Sequence, residues 1–304
     1  ALGLAQDFPS LVYIASMFSL MLTGTRDLGN AVMFLQTTVV NAQRVEELLE
    51  QPLEADRQTS AQPDFSAYPA VEFSHVDFSY LPGKQVLHDI CLTVESGQMV
   101  AIVGGSGCGK TTLIKLLEGF YAADSGEIFV GGAPISQLSN HDLRGKLSYI
   151  PQDAQLSSGT IAQNVALSQA KLDAVRVQDC LDQASLFLES DTPGGEGGSG
   201  LSGGQAQRVS IARALYRDAP VYLLDEATSS LDSATEKQLQ HTIDTVLRGK
   251  TVLVIAHRLS TVRNAHKIVY MEQGRILETG THEELLALGG GYAGLYHSRK
   301  VFSR

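Results

Sequence analysis

The chain has 304 residues, 43% of them hydrophobic and 18% charged, which suits one large or two modest domains with an ordinary globular core. Its formal net charge of −10 excludes a general binder of phosphate backbones, so no nucleic-acid partner is expected. Three widely spaced cysteines, Cys91, Cys108 and Cys180, form no CxxC pair and read as free thiols of a reducing compartment, not as a disulfide frame or a zinc site.

From Phe8 to Thr25 the sequence "FPSLVYIASMFSLMLTGT" carries no charge. As a helix it reaches about 27 Å, close to the ~30 Å hydrocarbon core of a bilayer. Asp7 precedes it where a signal peptide has a basic start. Taken alone, it reads either as the buried helix of a soluble domain or as a membrane span. If it spans, Arg26 and Arg44, which both follow it, place its C-terminal end in the cytoplasm. Helical texture continues towards Pro52, which sets residues 1–50 apart as one all-helical unit. Residues 51–68, "QPLEADRQTSAQPDFSAY", are polar and proline-punctuated, the composition of a linker.

Residues 69–304 have a different texture. In "VEFSHVDFSY" the residues Val71 and Phe73, then Val76, Phe78 and Tyr80, recur at two-residue spacing with one slip, which predicts a strand with a bulge. Short apolar runs follow: "MVAIV" (99–103), "LSYI" (147–150), "VYLL" (221–224) and "TVLVIA" (251–256). Alternating with helical patterns, they predict parallel strands covered on both faces. Ligands of such sheets bind beyond the carboxyl ends of the strands.

After the first run comes "GGSGCGKTT", a G-x-x-x-x-G-K-[ST] phosphate loop made of Gly104, Gly105, Ser106, Gly107, Cys108, Gly109, Lys110, Thr111 and Thr112. Its glycines let backbone N–H groups turn inward around a nucleotide phosphate. Lys110 is expected to neutralise the β- and γ-phosphates of ATP, and Thr111 to ligate Mg²⁺. The helix that opens here adds its N-terminal dipole, and Cys108 lies where that dipole favours a thiolate.

Asp225 and Glu226 follow "VYLL". The pair reads either as a helix N-cap or as a metal-holding carboxylate beside a general base for the attacking water. His257 follows "TVLVIA" and is either a structural histidine or a γ-phosphate contact. Gln152, just past "LSYI", is placed to sense Mg²⁺ and the same water.

The stretch "PGGEGGSGLSGGQAQR" (193–208) has the composition of a tether, yet good helix formers follow, with apolar side chains at Val209, Ala212 and Leu215. Ser202, Gly203, Gly204 and Gln205 thus open a helix and form a second anion cradle. One nucleotide has no use for two cradles, but two chains facing head to tail do.

With these motifs in place, residues 69–304 resemble the nucleotide-binding domain of an exporter-type ATP-binding-cassette (ABC) transporter. The resemblance rests on "GGSGCGKTT", Gln152, "LSGGQ", "VYLLDEATSSLD", "IAHRLST" and "GRILETGTHEELL". It implies an α/β P-loop NTPase (RecA-like) core with an antiparallel β subdomain and a helical subdomain. It further implies an ATPase that uses Mg²⁺, dimerises over two nucleotides, and works on transmembrane domains from the cytoplasmic side. Tyr80 resembles the aromatic residue that stacks on adenine, and Asp232 in "SSLD" (229–232) lies in the loop that communicates across the dimer. Glu196 resembles an acidic residue near the transmembrane contacts. Residues 1–50 resemble the last membrane helix of the fused transmembrane domain and its cytoplasmic extension. One helix cannot enclose a path, so the chain reads as part of a longer protein. The family has about seven more residues before the second cradle, so the helical subdomain is expected to be shortened, which bears on coupling more than on hydrolysis. An importer ATPase, a soluble cassette regulator, a coupling-deficient cassette and a non-catalytic module are the alternatives. Chromosome-organising ATPases are disfavoured by the lack of long heptad repeats.

Overall fold

The computed structural model describes residues 4–51, 54, 58–167, 172–194, 200–225, 245–256 and 259–302. They form two compact units, residues 1–55 and 56–304.

The first unit is one helix, α1 (Leu4–Leu49), 46 residues long. The uncharged stretch therefore continues without a break into its more polar extension. Phe8–Leu49 is long and apolar enough to cross a membrane, and none of its most apolar window is buried within the chain. Large apolar side chains such as Phe18, Leu20 and Phe34 lie fully out on its surface. Its hydroxyls turn inward: Ser16 Oγ donates to the Val12 carbonyl at 2.7 Å, and Thr25 and Thr38 donate to Met21 and Phe34 at 2.8 Å each. Such back-bonding satisfies polar groups where no water is at hand.

The second unit is built on two sheets. A four-stranded antiparallel sheet has the order β2-β1-β4-β5, from β1 (Val71–Leu81), β2 (Lys84–Val94), β4 (Ser125–Val130) and β5 (Ala133–Pro134). The slip read in the sequence is real. Phe73 pairs with Leu92 and Val76 with Ile90, so Ser74 and His75 together oppose one residue, Cys91. His75 takes a φ of 51° there, which turns two successive β1 side chains away from the core.

The six-stranded sheet has the order β10-β9-β3-β8-β7-β6. Its members are β3 (Met99–Gly104), β6 (Leu147–Ile150), β7 (Val221–Asp225), β8 (Thr251–Ile255), β9 (Lys267–Glu272) and β10 (Arg275–Gly280). All neighbours pair in parallel except β10 with β9. The four apolar runs are the strands β3, β6, β7 and β8, and β3, β7 and β8 are buried at every position. Their side chains divide between two cores with the period of two that a pleated strand imposes. Ala101, Val103, Leu224, Val252 and Val254 join one core, while Val100, Ile102, Leu223, Leu253 and Ile255 join the other. The first core is closed by α4 (Ile161–Val165), α5 (Ala174–Gln183) and α6 (Gly203–Arg217), including Val177, Leu181, Val209, Ala212 and Leu215. The second is closed by the antiparallel sheet and by Leu113, Ile114, Leu116 and Leu117 of α2 (Lys110–Leu117).

Smaller helices complete the unit: α3 (Asn140–Gly145), α7 (Leu259–Asn264), α8 (His282–Leu288) and α9 (Gly291–Phe302). The C-terminal half of the linker-like stretch is not slack. Ser60 N donates to the Gln137 carbonyl at 2.9 Å and Asp64 N to Gly131 at 2.8 Å, while Ala61 and Phe65 pack against the second core.

Candidate functional site

The parallel pairing sets strand ends side by side. Ile150 pairs with Leu224, Asp225 with Ile255, and Ile102 with Ile255. The segments after β6, β7, β8 and β3 therefore leave the same edge of the sheet. Gln152, Asp225 and the phosphate loop all lie there.

The loop is shaped by close approaches. A Cβ on Gly104 would sit 2.2 Å from the Met271 carbonyl oxygen and 2.8 Å from Cys108 Sγ, so the strand can pass β9 only as glycine. Gly109 has a φ of 104° and caps α2 without any side-chain hydrogen bond. The first turn of α2 thus starts with backbone donors that no side chain of its own satisfies, the arrangement that accepts an anion. Lys110 is 6% exposed, and its Nζ donates to the Gly105 carbonyl at 2.8 Å and the Gly104 carbonyl at 3.2 Å. Cys108 Sγ lies 3.8 Å from the same nitrogen and is buried as well. Neutral carbonyls orient this ammonium but leave its charge for a ligand to balance.

Tyr80 faces the loop across a cleft of about 310 Å³ lined also by Val86, Ser106, Gly107, Lys110, Thr111 and Thr112. Its hydroxyl is 3.2 Å from Thr112 Oγ1. Its ring stands edge-on to Phe78 at 4.8 Å and to Tyr121 at 5.1 Å, leaving it 41% exposed on the cleft side. Thr111, unlike its buried neighbour Thr112, is exposed.

Asp225 is 6% exposed at the end of β7. Glu118, the C-cap of α2, lies within electrostatic reach of it. Burial, with the nearby Asp225 carboxylate, pushes the Glu118 carboxyl up to about 7 against the opposing pull of Arg144 and Arg217. No motif pointed to Glu118, because its environment comes from four separate parts of the chain.

The second cradle is a capping box. Ser202 Oγ accepts from Gln205 N at 3.3 Å and Gln205 Oε1 accepts from Ser202 N at 2.9 Å. Gln205, expected to contact nucleotide, spends its carbonyl on its own helix. Ser202 keeps its hydroxyl hydrogen, and Gly203 and Gly204 place no Cβ over the first N–H groups of α6. Gln207, one turn further on and 3% exposed, donates through Nε2 to the Pro151 carbonyl at 2.9 Å, which joins this helix to the backbone beside Gln152. Glu226, Asp232, His257 and Glu196 lie outside the described residues.

Residues 87–229 match the family model described as ABC transporter. This segment, which carries the phosphate loop, Gln152, α6 and Asp225, belongs to the ABC transporter family.

The chain's relatives include the ATP-dependent lipid A-core flippase of Saccharophagus degradans, 47% identical over 236 residues, covering 75% of this chain and 40% of the flippase. The flippase of the same name from Burkholderia pseudomallei is 44% identical over 272 residues, covering 86% of this chain and 45% of its own length. Among solved structures, a bacterial Atm1-family ABC exporter with ATP bound superposes with a TM-score of 0.76 and 34% identity. That match covers 87% of this chain and 47% of the exporter. The chain therefore spans less than half the length of these relatives. In this chain the phosphate loop, Tyr80, Asp225 and the capped α6 are the parts that its structure displays.

Proposed function

We propose that the chain is the motor portion of an ATP-driven exporter. The supporting observation is the single cleft in which Tyr80, the uncapped start of α2 and the buried Lys110 ammonium converge, on the sheet edge that also carries Asp225 and Gln152. Tyr80 presents a flat apolar face for adenine, the loop N–H groups receive the β-phosphate, and Lys110 balances the γ-phosphate charge.

The residues present suit Mg²⁺: an exposed hydroxyl at Thr111 and a buried carboxylate at Asp225 are hard oxygen donors, with Gln152 beside them. When bound, the ion would neutralise phosphate charge. Glu226 takes the proton of the attacking water and His257 steadies the γ-phosphoryl group. A second copy of the cassette supplies Ser202, Gly203, Gly204 and Asp232 across the nucleotide, because one nucleotide has no use for two cradles and two chains facing head to tail do.

The substrate we infer is a lipid. The relatives' names support that class, and the exposed apolar length of α1 supports the membrane setting, with the cassette on the cytoplasmic side. The test uses the full chain in detergent carrying Glu226→Gln, its mass followed by light scattering with and without MgATP. We expect turnover to fall about a thousandfold while MgATP doubles the mass. Unchanged turnover removes Glu226 as the base, and ATP binding without doubling removes the homodimer.

A further inference from the structure

The bulge in β1 is not used by the nucleotide site. It sets His75 outward beside β2, where Asp89 and Cys91, two residues apart, share the exposed face of the strand. His75 Nδ1 is 2.7 Å from Asp89 Oδ1 and 3.5 Å from Cys91 Sγ, and all three potential ligand atoms lie within 4.8 Å of one another. Thiolate, imidazole and carboxylate together are the donor set of zinc.

The geometry points to a zinc-binding site formed by His75, Asp89 and Cys91, open to water at the fourth position. A tetrahedral ion with ordinary bond lengths holds N and S about 3.6 Å apart and N and O about 3.4 Å apart. The His75–Cys91 spacing already fits, and the His75–Asp89 pair has only to open by about 0.7 Å.

The backbone is held ready. His75 and Asp89 both take a φ of 51°, a conformation that persists in such residues only where the surroundings enforce it. For Asp89 the enforcement is visible: its N–H donates to Asp77 Oδ1 at 2.9 Å. That carboxylate is itself fixed by Gln85 Nε2 at 2.7 Å and Ser125 Oγ at 2.7 Å. On the other side, Gly126 admits the bulge, since a Cβ there would meet the His75 carbonyl at 2.2 Å. Cysteine spacing alone argued against zinc, because a site made by strand register leaves no CxxC signature. On metal uptake the Cys91 thiol loses its proton to solvent as the S–Zn bond forms.

The test is a Co²⁺ titration of the tag-free full chain in detergent, reduced, nucleotide-free and stripped with chelator. One equivalent is expected to bind with a near-ultraviolet thiolate-to-cobalt band that Zn²⁺ abolishes. Cys108 and Cys180 are buried, so the band belongs to Cys91. Cys91→Ser should remove the band, and His75→Ala should weaken binding about tenfold or more. These side chains are exposed and outside the nucleotide cleft, so ATP turnover with Mg²⁺ as the one added metal should be unaltered and reports that each variant is folded. Binding without a thiolate band, a band that survives Cys91→Ser, or no uptake of one equivalent overturns the site.

Discussion

The two anion cradles of this chain begin helices in opposite ways. The helix α2 starts at Gly109 with no side-chain cap, and the loop before it is squeezed into shape by Met271 and Leu87. The helix α6 starts at Ser202 with a complete capping box. The first cradle leaves its backbone donors for a ligand and keeps a buried ammonium beside them. The second satisfies itself and offers an anion only what remains. A helix without its own cap gains more from phosphate than a capped one does. In the proposed function this difference gives primary nucleotide affinity to α2 and makes α6 a partner that acts once the nucleotide is already held.

Removing the charge from the first cradle gives the largest effect. Lys110→Ala should lower ATP affinity by a hundredfold or more, since a desolvated charge–phosphate contact is worth about 3 kcal/mol or more. Equilibrium binding of a fluorescent ATP analogue measures it, and near-normal affinity would erase the contrast between the cradles. The aromatic wall comes next. Tyr80→Ala should weaken the same binding by about 10–100-fold, the worth of one stacked base, whereas Tyr80→Phe should cost little. Equal losses in both would shift the role of Tyr80 to its hydroxyl contact with Thr112.

The second cradle should respond differently. Ser202→Ala should leave nucleotide binding by a single chain unchanged, reduce turnover, and cost about 1 kcal/mol of stability through the lost cap. Thermal unfolding alongside binding separates these effects, and a loss of single-chain affinity would mean that both cradles serve one nucleotide within the chain.

The last effect shows only as a pH dependence and concerns Glu118. Its carboxyl is pushed up to about 7 in the folded chain from an ordinary 4.5, so the unfolded chain binds fewer protons in that interval. Stability from this group is therefore full below about pH 4.5 and declines as pH rises towards 7. Glu118→Gln should flatten that decline by on the order of 1–3 kcal/mol, read as the pH dependence of denaturant midpoints. An unaltered slope would place the carboxyl in water.

Sequence reading recovered what repeats at short range. The strands β3, β7 and β8 were legible because both faces are buried, so every position is apolar. The strand β9 was missed because its four apolar residues, Ile268 to Met271, lie between Lys267 and Glu272 and look like part of a surface hairpin. The glycines of the phosphate loop were legible by motif, but their necessity comes from Met271 and Leu87, far along the chain. Ser202 and Gln205 carry the S-x-x-Q spacing of a capping box. The helix start at "LSGGQ" was legible, but the reciprocal bond by which Gln205 closes the box was not read from that spacing. The metal triad depends on register, which shows in the sequence only as the slip before Val76.

The helix α1 has one more consequence. At 46 residues it is a rod about 69 Å long, more than twice the hydrocarbon thickness of a bilayer, with its proline, Pro9, at the far N-terminal end. An unhinged rod converts small angles into large excursions. A tilt of about 5° displaces one tip relative to the other by roughly 6 Å, comparable to a full helical turn. In the proposed membrane setting, modest rotations at the Leu49 end arrive amplified on the far side of the bilayer, and the gain is set by length alone.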